Sequence, residues 1–338
     1  MFRRIQALAI FLVALGAARI LLPWVGDASE SRFDPWAHTA RYEFEYRVEL
    51  GKLPAGEVMR LWVPMPAETA SQRILSTEIQ SSWPYREVTD TFGNRIIFAE
   101  RVNAAKVDGV DTGLVARFTV ERSPSSGVPF SAFVARSGER LDPKRYLSAQ
   151  RKIPLEGVIA DIAARQSEGI DAEAEKIRAF YDYVYRTMTY AKHGEGWGKG
   201  DAIWACTEKY GNCTDFHSLF IGMARSQGIP ARFLIGFPIP PDQTDGEIPG
   251  YHCWAEVYQS DLGWFPIDVS EAKKASRAAD YYGKIPSDRI EFTAGRDLIL
   301  APAQEGEPVN YFIYPYVEID GKRVENVPTR FHFKRSST

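Results

Sequence analysis

The chain predicts an α+β protein, with a β-rich N-terminal half followed by a core of helices and strands. Three observations carry that expectation. Short apolar runs alternate with polar residues between Tyr42 and Val120. Helical spacing then takes over between Asp171 and Gln227, and strand-like segments return between Tyr251 and Asp268.

In the first half, Tyr42, Phe44, Tyr46, Val48 and Leu50 alternate strictly with polar residues, which reads as a half-buried antiparallel strand. Residues 58–63 form a second strand, stopped by Pro64-Met65-Pro66. Residues 74–80 and 85–89 follow, and Phe92-Gly93-Asn94 turns the chain into a strand over 95–99. Leu114, Ala116, Phe118 and Val120 give another alternating strand. Short strands at this spacing predict a β-sandwich domain over 38–125. Residues 126–170 read as a linker carrying a short helix over 158–165.

In the second half, Ile177, Phe180, Tyr181, Val184 and Met188 share one face of a helix that starts at Asp171 and ends near Tyr190. A glycine-rich stretch from His193 to Gly200 leads on; it reads as a connector or as a loop able to approach a substrate backbone closely. Gly211-Asn212 then breaks the chain, and Asn is a preferred helix N-cap. Over 213–227, Phe216, Leu219, Phe220 and Met223 make an apolar stripe suited to packing on a sheet. Gly228 follows as a left-handed cap, and Ile229-Pro230 blocks continuation. Over 251–258, alternation puts His252, Trp254 and Glu256 on one strand face and Cys253, Ala255 and Val257 on the other. The aromatic strand ending at Asp268 reads as its antiparallel neighbour, joined by a tight turn near residues 260–263.

The chemistry converges on three residues. Cys213 opens a helix, where free N–H groups and the helix dipole favour a thiolate. His252 on one strand and Asp268 at the end of the next complete a thiol–imidazole–carboxylate set. The carboxylate holds the imidazole tautomer and the imidazole activates the thiol, which is the constellation for nucleophilic acyl chemistry. Taken singly, each residue also has an ordinary structural reading: a buried small apolar residue, a hydrogen-bonded strand histidine, a turn aspartate.

Gly211-Asn212-Cys213, Gly228-Ile229-Pro230-Ala231-Arg232, His252-Cys253-Trp254-Ala255-Glu256-Val257 and Gly263-Trp264-Phe265-Pro266-Ile267-Asp268 together resemble the transglutaminase-like superfamily of papain-type cysteine enzymes. The resemblance implies a catalytic core over 171–275 with Cys213 as nucleophile, His252 as general base and acid, and Asp268 as the orienting carboxylate. It offers Trp197 and Trp204 as candidates for the oxyanion tryptophan, and each of these is equally readable as a core aromatic. Residues 276–338 are expected to supply strands and loops closing on that core. The superfamily spans crosslinkers, peptidases, amidases and inactive members. The resemblance therefore implies acyl transfer on peptide or protein amides, without a cofactor and without choosing water or an amine as acceptor. The alternative is an envelope binding or scaffold protein with a vestigial triad.

At 338 residues the chain is long enough for two domains beyond any targeting segment. A net charge of −3, with no basic stripe, gives no case for nucleic acid as a partner. Arg3-Arg4 precede an apolar run from Ile5 to Ala18, so residues 1–25 read as a signal peptide or as an N-terminal membrane anchor. Either reading exports the remainder, to the periplasm or to the outer face of the inner membrane. The three cysteines leave an odd count: Cys206 and Cys253 pair and leave Cys213 over, or all three remain thiols. A metal site built from Cys206, Cys213, His217, His252 and Cys253 lacks the paired spacing that structural zinc uses.

Overall fold

A computed structural model describes residues 33–50, 56–104, 113–125, 142–260 and 262–336. The signal or anchor reading of 1–25, and residues 126–141 of the expected linker, lie outside these residues. Among the described residues, no helix is long and apolar enough to cross a membrane.

The first half contributes β1 (Ala40–Glu49), β2 (Gly56–Pro64), β3 (Gln72–Ser81), β4 (Tyr85–Thr89), β5 (Arg95–Ala104) and β6 (Gly113–Arg122). The middle runs α1 (Val158–Gln166), α2 (Glu173–Thr187), β7 (Thr189–Tyr190), α3 (Ala202–Glu208), β8 (Tyr210–Gly211), α4 (Cys213–Ser226), β9 (Ala231–Pro238), β10 (Asp245–Glu247), β11 (His252–Gln259), β12 (Gly263–Ile267) and α5 (Val269–Ala275). It closes with β13 (Arg289–Ala294), β14 (Tyr316–Ile319), β15 (Lys322–Val324) and β16 (Thr329–Ser336).

Two five-stranded antiparallel sheets result, in the orders β10-β16-β1-β6-β3 and β15-β14-β2-β5-β4. The alternation along β1 is obeyed, with Tyr42, Phe44, Tyr46 and Val48 all buried. The expected boundaries are not. Residues 276–338 do not simply close on the catalytic core: only β13 joins its sheet, whereas β14 and β15 extend the β2 sheet and β16 pairs with β1. The register explains this. It sets Phe333 opposite Phe44 and Phe331 opposite Tyr46, so the aromatic residues of β16 share a buried face with those of β1. The β-rich part is therefore built from both ends of the chain, not from 38–125 alone. The strand-like residues 297–301 form no strand; Leu298 and Leu300 instead pack with Trp62, Ile96 and Phe98 on a face of the β2 sheet.

The two-domain expectation is also revised, since residues 33–338 form one compact unit. Phe44 and Phe237 have ring centroids 5.0 Å apart, and Phe44 and Phe292 5.3 Å, so aromatic packing fuses the β1 sheet to the core. The core sheet is antiparallel, in the order β12-β11-β9-β13. β13 crosses β9 so closely at Gly236 that a Cβ there would lie 1.9 Å from the Ile290 carbonyl oxygen. Helix α4 is buried along its length, from Cys213 to Arg225. The sequence reading buried only one stripe. The other faces are covered by α1, α2, α3 and α5, and Gly222 admits α1 at Ile159.

Candidate active site

The start of α4 is fixed by a reciprocal cap. The Asn212 side chain accepts from the Thr214 N–H at 2.9 Å, and the Asp215 carboxylate accepts from the Asn212 N–H at 2.9 Å. Asp215 also reaches outward, accepting from the Gly198 N–H at 2.7 Å and the Gly200 N–H at 2.9 Å. A Cβ on Gly211 would lie 2.4 Å from that carboxylate, so the turn before Cys213 needs glycine. Burial raises the carboxyl pKa of Asp215 and the three backbone N–H donors oppose it. One fully buried carboxylate thus holds the glycine-rich loop against the turn that presents Cys213.

His252 is the first residue of β11, and its Nε2 lies 2.7 Å from Asp268 Oδ2. Its Nδ1 lies 3.8 Å from Glu271 Oε1, and Cys213 helps to raise the ring's pKa. Asp268 follows the end of β12 and caps α5: its Oδ1 accepts from the Ser270 hydroxyl at 3.1 Å and the Glu271 N–H at 3.0 Å. The strand-end reading and the imidazole-partner reading of Asp268 are therefore both satisfied, by different oxygens. Arg289 lies 3.6 Å from Asp268 Oδ2, and His217 Nε2 3.7 Å from Oδ1.

The electrostatics follow from this crowding. Burial works against an imidazolium at His252, but the charge and hydrogen bond of Asp268, with the bond to Cys213, carry its pKa up to about 10. Burial would likewise push the Cys213 thiol up. Hydrogen bonds from Cys253 and His252, and the charges of His252 and His217, hold it well below its ordinary value. Burial opposes ionisation of Asp268 as well, yet His252, Arg289 and His217 keep it far down. The two shifts favour a thiolate at Cys213 and an imidazolium at His252.

A second wall faces this pair. The loop 193–200 is tied to the chain beyond β13 by Arg296, whose guanidinium donates to the Gly200 carbonyl at 3.1 Å and to Ser218 Oγ on α4 at 2.7 Å. Asn310 donates to the Lys199 carbonyl at 2.9 Å and Tyr311 to the Gly198 carbonyl at 3.2 Å. Because Tyr311 donates there, its oxygen accepts from Tyr251, 3.2 Å away, and Tyr251 in turn accepts from Asn212 Nδ2 at 3.4 Å. A chain of hydroxyls thus runs from the α4 cap back to the loop.

The structure therefore brings Cys213, His252 and Asp268 together. It separates the two tryptophans. Trp204 on α3, half-buried against the core, packs edge-on to Tyr210 at 5.1 Å and lies directly under Gly196. Trp197, half-buried, sits on the tethered loop itself. All three cysteines are free thiols. Cys206 donates to the Ile203 carbonyl within α3 at 3.1 Å, whereas Cys253 Sγ lies 3.7 Å from His217 Nδ1. Among the described residues, no cluster of His, Cys, Asp or Glu is arranged to hold a metal ion. Sequence reasoning missed Asp215, Arg289, Arg296, Tyr251 and Tyr311. Only Asp215 carried a signal, standing three residues after the Asn212 cap.

Comparison with known proteins agrees with this architecture. Residues 160–269 match the model of the Transglutaminase-like superfamily. An uncharacterized protein of Haemophilus influenzae is 24% identical over 322 residues, covering 84% of this chain and 87% of its own. The uncharacterized protein YebA of Bacillus subtilis is 25% identical over 141 residues, 38% of this chain and 19% of its own. The solved structure of a candidate cysteine protease from Cytophaga hutchinsonii superposes with a TM-score of 0.58 at 15% identity, covering 89% of this chain and 92% of that one. The fold is thus α+β with a transglutaminase-like core.

Proposed function

We propose that this chain is an exported thiol enzyme that opens amide bonds of peptides or proteins through a Cys213–His252–Asp268 triad. The observation that carries the reading is a buried Cys213 opening α4 with a buried His252 whose Nε2 lies 2.7 Å from Asp268 Oδ2; the thiol is held down and the imidazole up. Such a pair is costly to bury, and it is the resting form of an acyl-transfer nucleophile.

The Cys213 thiolate attacks the amide carbonyl. The developing oxyanion is assigned to the start of α4, where the N–H groups of Asn212, Thr214, Asp215 and Phe216 already have acceptors, so the Cys213 N–H is the donor this reading uses. Trp197, on the facing loop, supplies the second donor. The His252 imidazolium protonates the leaving amine, and Asp268 keeps its tautomer throughout. Water then resolves the acyl-enzyme in a peptidase or amidase, an amine in a transglutaminase.

Limiting iodoacetamide near neutral pH tests the nucleophile. Cys213 should label first, because burial pushes the thiols of both Cys206 and Cys253 up. His252→Ala should slow that labelling. Modification of Cys206 or Cys253 ahead of Cys213 would overturn the assignment and leave a binding protein with a vestigial triad. Incubation with a pool of amides followed by mass spectrometry of Cys213 identifies the acyl group. Export rests on the charged and apolar pattern of residues 1–25. An alkaline-phosphatase fusion after residue 40 should be active; an inactive fusion beside an active cytoplasmic reporter would refute it.

A further inference from the structure

Cys253 is absorbed by none of the chemistry above, yet it is fully buried at the second position of β11, the strand against which α4 packs. Its Sγ lies 3.7 Å from His217 Nδ1. That nitrogen lies 2.7 Å from the Cys213 carbonyl oxygen, so it carries the proton and donates. The His217 ring therefore bridges the backbone of one cysteine and the side chain of the other. The charge on Cys213 in turn helps to hold the Cys253 thiol up. Cys206, the remaining thiol, lies on α3 with its own backbone acceptor.

We propose that Cys253 is the resolving thiol of Cys213, closing a reversible Cys213–Cys253 disulfide when a hydroperoxide oxidises the nucleophile. The inference rests on the reactive Cys213 proposed above. In the first step the Cys213 thiolate attacks the distal peroxide oxygen. The O–O bond breaks, sulfur is oxidised to the sulfenic acid, and the departing oxygen leaves as water or an alcohol after taking a proton. In the second step Cys253 sulfur attacks the Cys213 sulfur, the S–O bond breaks, and the thiol proton leaves with the hydroxyl as water. The net change is loss of one hydrogen from each thiol and reduction of the peroxide.

Placement gives this step its advantage. A sulfenic acid with no thiol at hand is carried onward to the irreversible sulfinic and sulfonic acids. Here one imidazole nitrogen, 2.7 Å from the Cys213 carbonyl and 3.7 Å from Cys253 Sγ, sets the partner beside the nucleophile, and burial keeps its thiol protonated while Cys213 carries the charge. An adduct between these residues closes the amide site without exposing sulfur to solvent.

Peroxide treatment of the native protein, then peptide mapping by mass spectrometry, tests the proposal without reference to any substrate. The expected result is a loss of two hydrogens, a linked pair of peptides carrying Cys213 and Cys253, and return of both thiols on reduction. In Cys253→Ala, Cys213 should instead gain two or three oxygens that reductant does not remove. Cys206→Ser should behave as the native protein. Sulfinic acid at Cys213 of the native protein, with Cys253 still a free thiol, would overturn the resolving role and leave the nucleophile intact. A Cys213 inert to both peroxide and iodoacetamide would overturn the resolving role together with the thiolate reading of the site.

Discussion

The two walls of the cleft are built in different ways. The reactive wall (Cys213, His252 and Asp268) comes from a single stretch of chain and is held by charge, with His252 Nε2 2.7 Å from Asp268 and Arg289 behind it. The facing wall, the loop 193–200, is held by hydrogen bonds from Arg296, Asn310 and Tyr311, which reach it from beyond β13. Reactivity is thus a local property of the core, whereas the surface on which an amide lies is set by distant segments. Damage to the first wall should abolish chemistry at the sulfur. Damage to the second should spare the sulfur and misplace the substrate.

Asp268→Asn should break the contrast most strongly. With the imidazole in the wrong tautomer, turnover should fall about 10⁴-fold while the fold persists, as measured by acyl-enzyme formation and circular dichroism. Trp197→Phe removes the proposed indole donor and should cost about 10²-fold in turnover, with iodoacetamide reactivity at Cys213 unchanged. Trp204→Phe should leave the acylation rate near that of the native protein, and a larger loss there than at Trp197 would exchange the roles of the two rings. Tyr311→Phe deletes one loop anchor worth about 1 kcal/mol, roughly fivefold in acylation, again without altering thiol labelling.

The pH profile sharpens the same division. His252 is raised to about 10, so the imidazolium needed by the leaving amine persists through neutral pH and is lost as pH rises through that value. Turnover should therefore fall on the alkaline side near pH 10, while the lower limb, set by the Cys213 thiol, should lie well below its ordinary titration range. In Asp268→Asn the alkaline limb should move down, because Asp268 supplies most of the upward pull on the ring. A limb that stays in place would assign that pull to Cys213 instead.

The sequence was informative where the determinants are local. The Asn212 cap, the α4 stripe and the strands carrying His252 and Asp268 all lie within residues whose spacing reports their geometry. Alternation along β11 was a poorer guide. It puts His252 and Cys253 on opposite faces, yet both residues help to hold the Cys213 thiol down, His252 from the first position of the strand. The anchors of the loop were invisible for a plainer reason. Arg296 meets Ser218 across 78 residues of sequence, and Tyr311 meets Gly198 across 113, and no periodicity records such a pairing. The same holds for β14 to β16, whose own residues do not announce the sheets they join.

The placement of β13 and β16 has a consequence for the order in which the molecule becomes dangerous. Synthesis delivers Cys213, His252 and Asp268 before Arg289, Arg296, Tyr311 and β16 have emerged. Until those arrive, β9 lacks its β13 neighbour, Asp268 lacks its guanidinium, and the loop 193–200 has no tether on its far side. On the function proposed above, a nascent chain carries its thiol in an unassembled site, unable to seat an amide from its own unfolded segments or from its neighbours. The last strands to arrive complete that site.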